Sequence, residues 1–282
     1  CKAYTSKHIN DSADSHRQRR LEGCMPAAHR LIVLTVLLSH QTARALLVSW
    51  GPPIKAHTRC ASSSAATATM SSKEEQSMWE GMWAAGLKPG DRFDKSKSSQ
   101  SFLDVLASWQ DTAKAKKVRA LIPGCGRGYD VVEAARFNFD ALGLDISPTA
   151  VQAAQAYRDS QGELGGRAEF STTDFFTLPE PGAFDLVFDY TFLCAIDPST
   201  RSAWAETHKR LIKPGGELVT LIYPIRPKDD NGPPYAMDTE LVRGLLEPQG
   251  FVCESMVPVP HAKSHPGREG MEVLARWRAP MQ

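Results

Sequence analysis

A chain of 282 residues, 42% hydrophobic and 23% charged, carries enough apolar surface for one large domain or two small ones. Its formal charge of +1 hides an asymmetry: residues 1–72 hold 9 Lys+Arg and 3 Asp+Glu, whereas the remainder holds 24 and 29, a net of −5. A body of that sign lacks the basic excess that neutralises phosphates, which excludes a general nucleic-acid binder.

The first seventy residues read as a leader. From Gly23 to Lys73 there is no Asp or Glu, and Ala, Ser, Thr and Arg dominate. The one apolar run, Leu31–Leu38, is far shorter than the about 20 residues that span a bilayer, so no stable membrane insertion is expected. An acid-poor, Ser-rich, basic leader is a targeting signal. If translated, it predicts plastid or mitochondrion; otherwise the cytoplasm is expected. The alternative, upstream sequence with Met25 or Met70 as the start, stays open. Two segments follow: residues 1–72 as leader, and 73–282 as one catalytic domain.

Along that domain the hydrophobic period switches repeatedly. Met78, Trp79, Met82 and Trp83 recur at helical spacing within Lys73–Gly86, and Ser101–Gln110 is a second helix candidate. "VRALIP" (Val118–Pro123) is a short buried strand, and a helix is expected from Tyr129 to Ala135. "DALGLDIS" (Asp140–Ser147) is the next strand. The helix after it has Ser147 as cap and Pro148 in its first turn. "AEFSTTDF" and Phe184–Tyr190 read as strands three and four. "TRSAWAETHKRLIK" is a helix stopped by Pro214-Gly215-Gly216, with "KPGGEL" as a turn into strand five, "GELVTLIYP". A helix over "MDTELVRGLLEPQG" closes at Gly250, and "FVCESMVPV" and "MEVLARWRA" are two last strands. Alternating strands and helices predict an α/β fold, a doubly wound, mostly parallel sheet. Only a loop separates the last two strands, so they should form an antiparallel C-terminal edge.

Chemistry concentrates at "ALIPGCGRGYD". Gly124, Gly126 and Gly128 follow the first parallel strand, where doubly wound sheets bind ligands. Asp145, 21 residues after Gly124, ends the second strand, where an acid accepts ribose hydroxyls. Dinucleotides and S-adenosylmethionine both fit that pair. The dinucleotide pattern G-x-G-x-x-G would place its third glycine at Tyr129, which counts against it. Asp174 could accept from an adenine amino group and Phe175 cover the ring. The plainer reading is a helix cap with a core aromatic. Pro123 stands where many methyl-donor turns carry an acid for the donor's amino group; Asp130 or a backbone carbonyl would then take that role.

The six cysteines include no CxxC pair, so no zinc framework or disulfide scaffold is encoded and a reducing compartment is expected. Cys125 and Cys194 read as small apolar residues near the site. No metal cluster is evident, because the body has only His208, His261 and His265, the last two in a Pro-rich loop where solvation is expected.

The chain from about Trp79 to Trp277 resembles the thiopurine methyltransferase superfamily, and within it the plant-type halide/thiol methyltransferases. "MWEGMW", "LIPGCGRGYDV", "GLDIS", "DFF", "FDLVFDYTFLCAIDP", "RSAWA", "LIKPGGELVTLIYPI", "GPPY" and "GREGMEVLARW" occur in family order. The resemblance implies a class I, Rossmann-like S-adenosylmethionine fold with an N-terminal helical lid. It places Trp79 and Trp83 on the cofactor or substrate, with Phe93-Asp94 as the nearest counterpart of a Trp-Asp pair in plant members. Gly124, Asp145, Asp174, Phe175 and Tyr190 match cofactor-contacting positions. Mammalian thiopurine enzymes carry Asp-Arg where this chain has Asp189-Tyr190, which argues against a bulky thiopurine acceptor.

Methyl transfer from a sulfonium to an anion is an in-line displacement needing alignment and water exclusion more than a base. The expected acceptor is a halide, hydrosulfide or small thiol. Tyr190, Tyr223 and Tyr235 are candidate walls or donors, and Arg268 a candidate attractor, against strand-end packing for Tyr223 and a solvated loop charge for Arg268. An enclosed small-molecule site needs no partner subunit, so a monomer is expected. The rivals are a methyltransferase for a larger thiol, selenium or arsenic compound, a dinucleotide-dependent oxidoreductase, and a silent binding module.

Overall fold

The computed structural model describes residues 72–229 and 231–281, so the predicted leader lies outside the described residues apart from Ser72. Seven strands, β1 (Arg119–Pro123), β2 (Asp140–Asp145), β3 (Arg167–Thr172), β4 (Phe184–Tyr190), β5 (Ile212–Ile222), β6 (Val252–Pro258) and β7 (Val273–Arg278), form one sheet. Their order is β3-β2-β1-β4-β5-β7-β6. The first five run parallel, and β7 is antiparallel to both β5 and β6. The expected antiparallel pair is therefore present, with β7 slotted inside it and β6 at the edge.

Six helices pack around the sheet: α1 (Ser72–Ala84), α2 (Gln100–Ala115), α3 (Tyr129–Arg136), α4 (Pro148–Asp159), α5 (Arg201–Leu211) and α6 (Thr239–Leu246). Side-chain caps start several of them: Ser99 accepts from the Phe102 N–H, Ser147 from Ala150 and Asp238 from Leu241. β4 is buried on both faces until Tyr190, which is why it reads as a continuous apolar run. Two apolar layers result. Phe102 and Leu106 of α2 and Val131 of α3 pack with Leu186, Phe188 and Val219. Trp204 and Leu211 of α5 and Val242 of α6 pack with Val187 and Leu218. Among the described residues, no helix is long and apolar enough to cross a membrane.

Three local expectations change. Pro214-Gly215-Gly216 does not end a helix ahead of a strand. α5 stops at Leu211, β5 begins at once, and these residues bulge out between the pairs Phe184↔Ile212 and Leu186↔Glu217. β3 ends at Thr172, and Phe175–Thr177 form a 3-10 turn capped by Asp174. The last helix is shorter than the pattern suggests: Glu247–Gln249 tighten into a 3-10 turn that Gly250 closes at φ +92°.

Gly128, read as part of the ligand turn, has a packing task instead. It caps α3 at φ +80°, and an added Cβ would lie 2.5 Å from the Phe170 ring. Gly128→Ala combines left-handed strain with that overlap, and should cost about 2–3 kcal/mol. Thermal unfolding should record a midpoint lower by about 5 °C or more; an unchanged midpoint would remove the packing assignment.

Candidate functional site

At the carboxyl ends of β1, β2, β4 and β5 lies a cavity of about 550 Å³. Its floor is the turn after β1. Gly124 and Gly126 take φ of +59° and +52°, and a Cβ would meet Phe192 at 2.8 Å and Trp83 at 3.3 Å. Only glycine leaves that space open. Asp145 ties this turn to the next: its Oδ2 accepts the Gly126 N–H at 3.0 Å and its Oδ1 the Ser147 N–H at 2.9 Å. Burial lifts the Asp145 carboxyl to about 6, with those N–H groups pulling the other way. Asp130 lines the same floor from the first turn of α3. Burial lifts it to about 6 as well, while the Ser98 hydroxyl donates to it at 2.5 Å.

A lid covers the cavity. Trp79 and Trp83 of α1 meet Phe93 edge-on, ring centroids 5.6 and 5.9 Å apart, and all three line the cavity. Asp94, 6% exposed, fastens the lid loop to the floor. It accepts from Arg127 Nε at 2.7 Å, from the Tyr129 hydroxyl at 3.0 Å and from the Ser96 N–H at 2.8 Å. Arg127 also donates to the Leu87 carbonyl and lies over the Trp83 ring. A second fastener is Glu80. It accepts the Ser147 and Thr149 hydroxyls, both at 2.6 Å, which hold its carboxyl below the usual range.

The two ends of the cavity differ in chemistry. On the β2–β3 side, Asp174 caps Phe176 through its Oδ1 at 2.9 Å, and Phe175 sits 2% exposed in the core. The reading as cap and core aromatic is met in full, and both residues also reach the wall. Glu75 of α1 faces the same end; burial, then Asp174 and Asp197, raise its carboxyl.

On the β4–β5 side stand Tyr190, Tyr223, Arg268 and His265. Arg268 is 3% exposed, which overturns a solvated loop charge. Its guanidinium lies 5.0 Å from the Tyr190 ring centroid and 4.3 Å from that of Tyr223. Nη2 donates to the Phe93 carbonyl at 3.3 Å, whereas Nε and Nη1 are buried without a partner. The Tyr190 hydroxyl donates to Glu272, and burial first of all raises it far above the ordinary phenol range. His265 is also 3% exposed, correcting the expectation of a solvated side chain; its ring stacks on Tyr190 at 6.1 Å and 11°. Burial, with Arg268, Lys97 and Lys95 close by, lowers His265 to about 4.

Of the expected site residues, the cavity gathers Trp79, Trp83, Phe93, Gly124, Gly126, Asp130, Asp145, Asp174, Phe175, Tyr190, Tyr223 and Arg268. Gly128 and Tyr235 stand off the wall. Tyr235 lies under the Arg201 guanidinium, 5.9 Å away, and against Gly232, while Pro233 and Pro234 of the same loop do line the cavity. Cys125 and Cys194 are wall residues whose thiols burial pushes up, the latter to about 12, so both are small apolar groups there, as expected. Asp189 turns away from the cavity and accepts from Trp204 Nε1 at 2.7 Å.

The family profile described as Thiopurine S-methyltransferase (TPMT) matches residues 74–275. The chain belongs to the thiopurine S-methyltransferase family. Within that family, "Probable thiol methyltransferase 2" of Arabidopsis thaliana is 40% identical over 200 residues, 71% of this chain and 84% of that protein. "Thiocyanate methyltransferase 1" of the same organism is 39% identical over 208 residues, 72% and 85% of the two chains. Among solved structures, the 1,6-didemethyltoxoflavin-N1-methyltransferase of Burkholderia thailandensis, with bound S-adenosylhomocysteine, superposes with a TM-score of 0.54 at 16% identity, over 75% of this chain and 91% of that one. The magnesium protoporphyrin IX methyltransferase of Synechocystis, also with S-adenosylhomocysteine, gives 0.52 at 19%, over 64% and 82%. At these identities the likeness is one of fold, the class I methyltransferase fold. Membership of a methyltransferase family sets aside the oxidoreductase alternative.

Asp94→Ala should leave the half-buried Arg127 guanidinium without its carboxylate and release the lid loop. Proteolysis within residues 85–97 should accelerate by about tenfold or more, the factor that 1.4 kcal/mol of eased local opening gives. Tryptophan emission should shift to the red as Trp79 and Trp83 gain water. Unaltered cleavage would mean that Asp94 does not hold the lid.

Proposed function

We propose that the protein transfers a methyl group from S-adenosylmethionine to a small acceptor that arrives already ionised: hydrosulfide, a small thiolate, thiocyanate or a halide. Arg268 carries this reading: a buried guanidinium on the cavity wall, set against the Tyr190 and Tyr223 rings, with two of its nitrogens without a hydrogen-bond partner. A desolvated cation with spare donors is stabilised by an anion and by little else. The 40% and 39% identical relatives, named for thiol and thiocyanate methylation, support the same class of acceptor.

The residues present fit the cofactor. Gly124 and Gly126 leave the space that a Cβ would fill. Asp145 would receive ribose hydroxyls, and Asp130 the amino group that the proline at 123 cannot. The faces of Trp79, Trp83 and Phe93 suit a cationic sulfur. When bound, the cofactor supplies an electrophilic methyl group on a sulfonium. The chain's own part is to exclude water, hold the acceptor and align it. Among the described residues, no strong base faces the acceptor end: the Tyr190 hydroxyl is already donated to Glu272, and His265 is weakly basic. Ionisation therefore has to precede binding. The leader, if translated, would deliver the enzyme to an organelle, a proposal that import of residues 1–72 fused to a fluorescent protein would test.

Purified protein given S-adenosylmethionine with bisulfide, thiocyanate or iodide should release the methylated product into the headspace. Arg268→Gln should raise the acceptor KM by about tenfold or more, a charged hydrogen bond being lost, with S-adenosylhomocysteine affinity little changed. Methylation of a thiopurine alone would overturn the reading.

Asp145 adds a pH signature. Its carboxyl lies at about 6 against an ordinary 3.8, so ionising it opposes folding: the stability that the protonated form contributes is full below about pH 4 and lost as pH rises through 6. Affinity runs the other way, because the carboxylate is the form that accepts the ribose hydroxyls. Calorimetry should show S-adenosylhomocysteine binding weaken from pH 7 to pH 5. Asp145→Asn should weaken binding at pH 7 and flatten that slope.

A further inference from the structure

The loop between β6 and β7 carries a second cavity-facing polar group whose place the anion reading leaves unused. His265 opens the turn that Arg268 closes, the Arg268 N–H donating to the His265 carbonyl at 3.0 Å. Both side chains are 3% exposed and both line the cavity. The imidazole runs nearly parallel to the Tyr190 ring, centroids 6.1 Å apart, and its nitrogens bond to no described residue. They are not among the fully enclosed orphan atoms that include Arg268 Nε and Nη1, so they keep some accessible surface, and the residue lines the cavity. A neutral imidazole always carries one N–H. In a cavity it shares with a buried guanidinium, that N–H is the complement of an anion.

We infer that His265 is a second binding residue for the acceptor anion, a neutral imidazole whose N–H donates to it beside the Arg268 guanidinium. The inference rests on the proposed small-anion acceptor. The groups around the ring account for its neutrality. Arg268 and Glu269 belong to its own turn, Lys95 and Lys97 come from the lid loop, and Tyr190 comes with its partner Glu272. Three cations outweigh the carboxylates in proximity, so a proton on the ring is disfavoured by burial and by charge alike. Neutrality has a use. An imidazolium would bind the acceptor more tightly but would hold back its charge from attack, whereas a neutral donor orients the anion at less cost to its nucleophilicity.

Two variants separate donor from shape. His265→Phe keeps an aromatic ring on Tyr190 and removes the N–H; His265→Gln keeps an N–H donor. With thiocyanate as acceptor, which stays ionised across the range, His265→Phe should raise KM about tenfold or more with kcat within about twofold. His265→Gln should restore KM to within about threefold of the parent. S-adenosylhomocysteine affinity should be unaltered in both, and the parent KM should be flat from pH 6 to pH 9. An unchanged KM in His265→Phe overturns the inference. So does an equal loss in both variants, which would mark a role in shape, or a parent KM that falls steeply from pH 7 to pH 6 and flattens in His265→Gln, which would mark a cationic ring. If the parent methylates none of thiocyanate, bisulfide and iodide while binding S-adenosylhomocysteine, the anion reading falls and takes this inference with it. Activity in the parent with indifferent variants removes His265 alone.

Discussion

One carboxylate holds the closed site together. Asp94 sits buried at the point where the lid loop meets the glycine turn, and it satisfies a guanidinium, a phenol and backbone N–H groups at once. Removing one partner from such a buried pair costs about 3–5 kcal/mol, much of it from the charge left behind. Its partner Arg127 follows Gly126 of the floor and also reaches Leu87 and Trp83. The floor and the roof of the cavity therefore share one electrostatic joint. The aromatic box of Trp79, Trp83 and Phe93 keeps its shape because that joint fixes the loop behind it.

The opposite end depends on a different balance. A buried guanidinium flanked by two tyrosine rings gains from their faces, about 0.5–2 kcal/mol for each such contact. It still leaves two donors unsatisfied. The Tyr190 hydroxyl donates to Glu272, which leaves its oxygen as an acceptor on the Arg268 side. The carboxylates Glu75, Asp130, Asp145 and Asp174 also stand on the wall, and Asp130 feels the Arg268 charge.

Much of this was legible in the sequence because it follows from local chemistry. Ser147 with Pro148, Gly250 and the apolar runs of β1 and β4 each marked its element. Gly124 and Asp145 marked the floor. The Pro-Gly-Gly bulge was not legible as such, since turns and bulges both use glycine at positive φ, and only the resumed pairing with β4 separates them. The slot of β7 between β5 and β6 depends on pairing across distant residues, which no local period records. His265 and Arg268 stood in a Pro/Gly-rich loop and read as solvated or undecided. Their burial comes from Phe93, Tyr190 and Tyr223, all more than 40 residues away along the chain. Tyr235 showed the reverse: a motif tyrosine that turned to Arg201 and left its prolines on the wall.

The position of the lid in the chain has a consequence for how the molecule assembles. α1 and the loop after it precede every strand, yet their fasteners Arg127, Tyr129, Ser147 and Thr149 belong to the β1–α4 region. Those partners exist as a surface only once β1, β2 and the starts of α3 and α4 are in place. The earliest part of the domain in sequence is thus the last to dock, and it adds no strand to the sheet. Its fasteners are side-chain contacts and not strand pairing, so lid opening is expected to precede opening of the sheet. Opening the cavity on that side calls for parting those side-chain contacts and leaves every strand pairing in place.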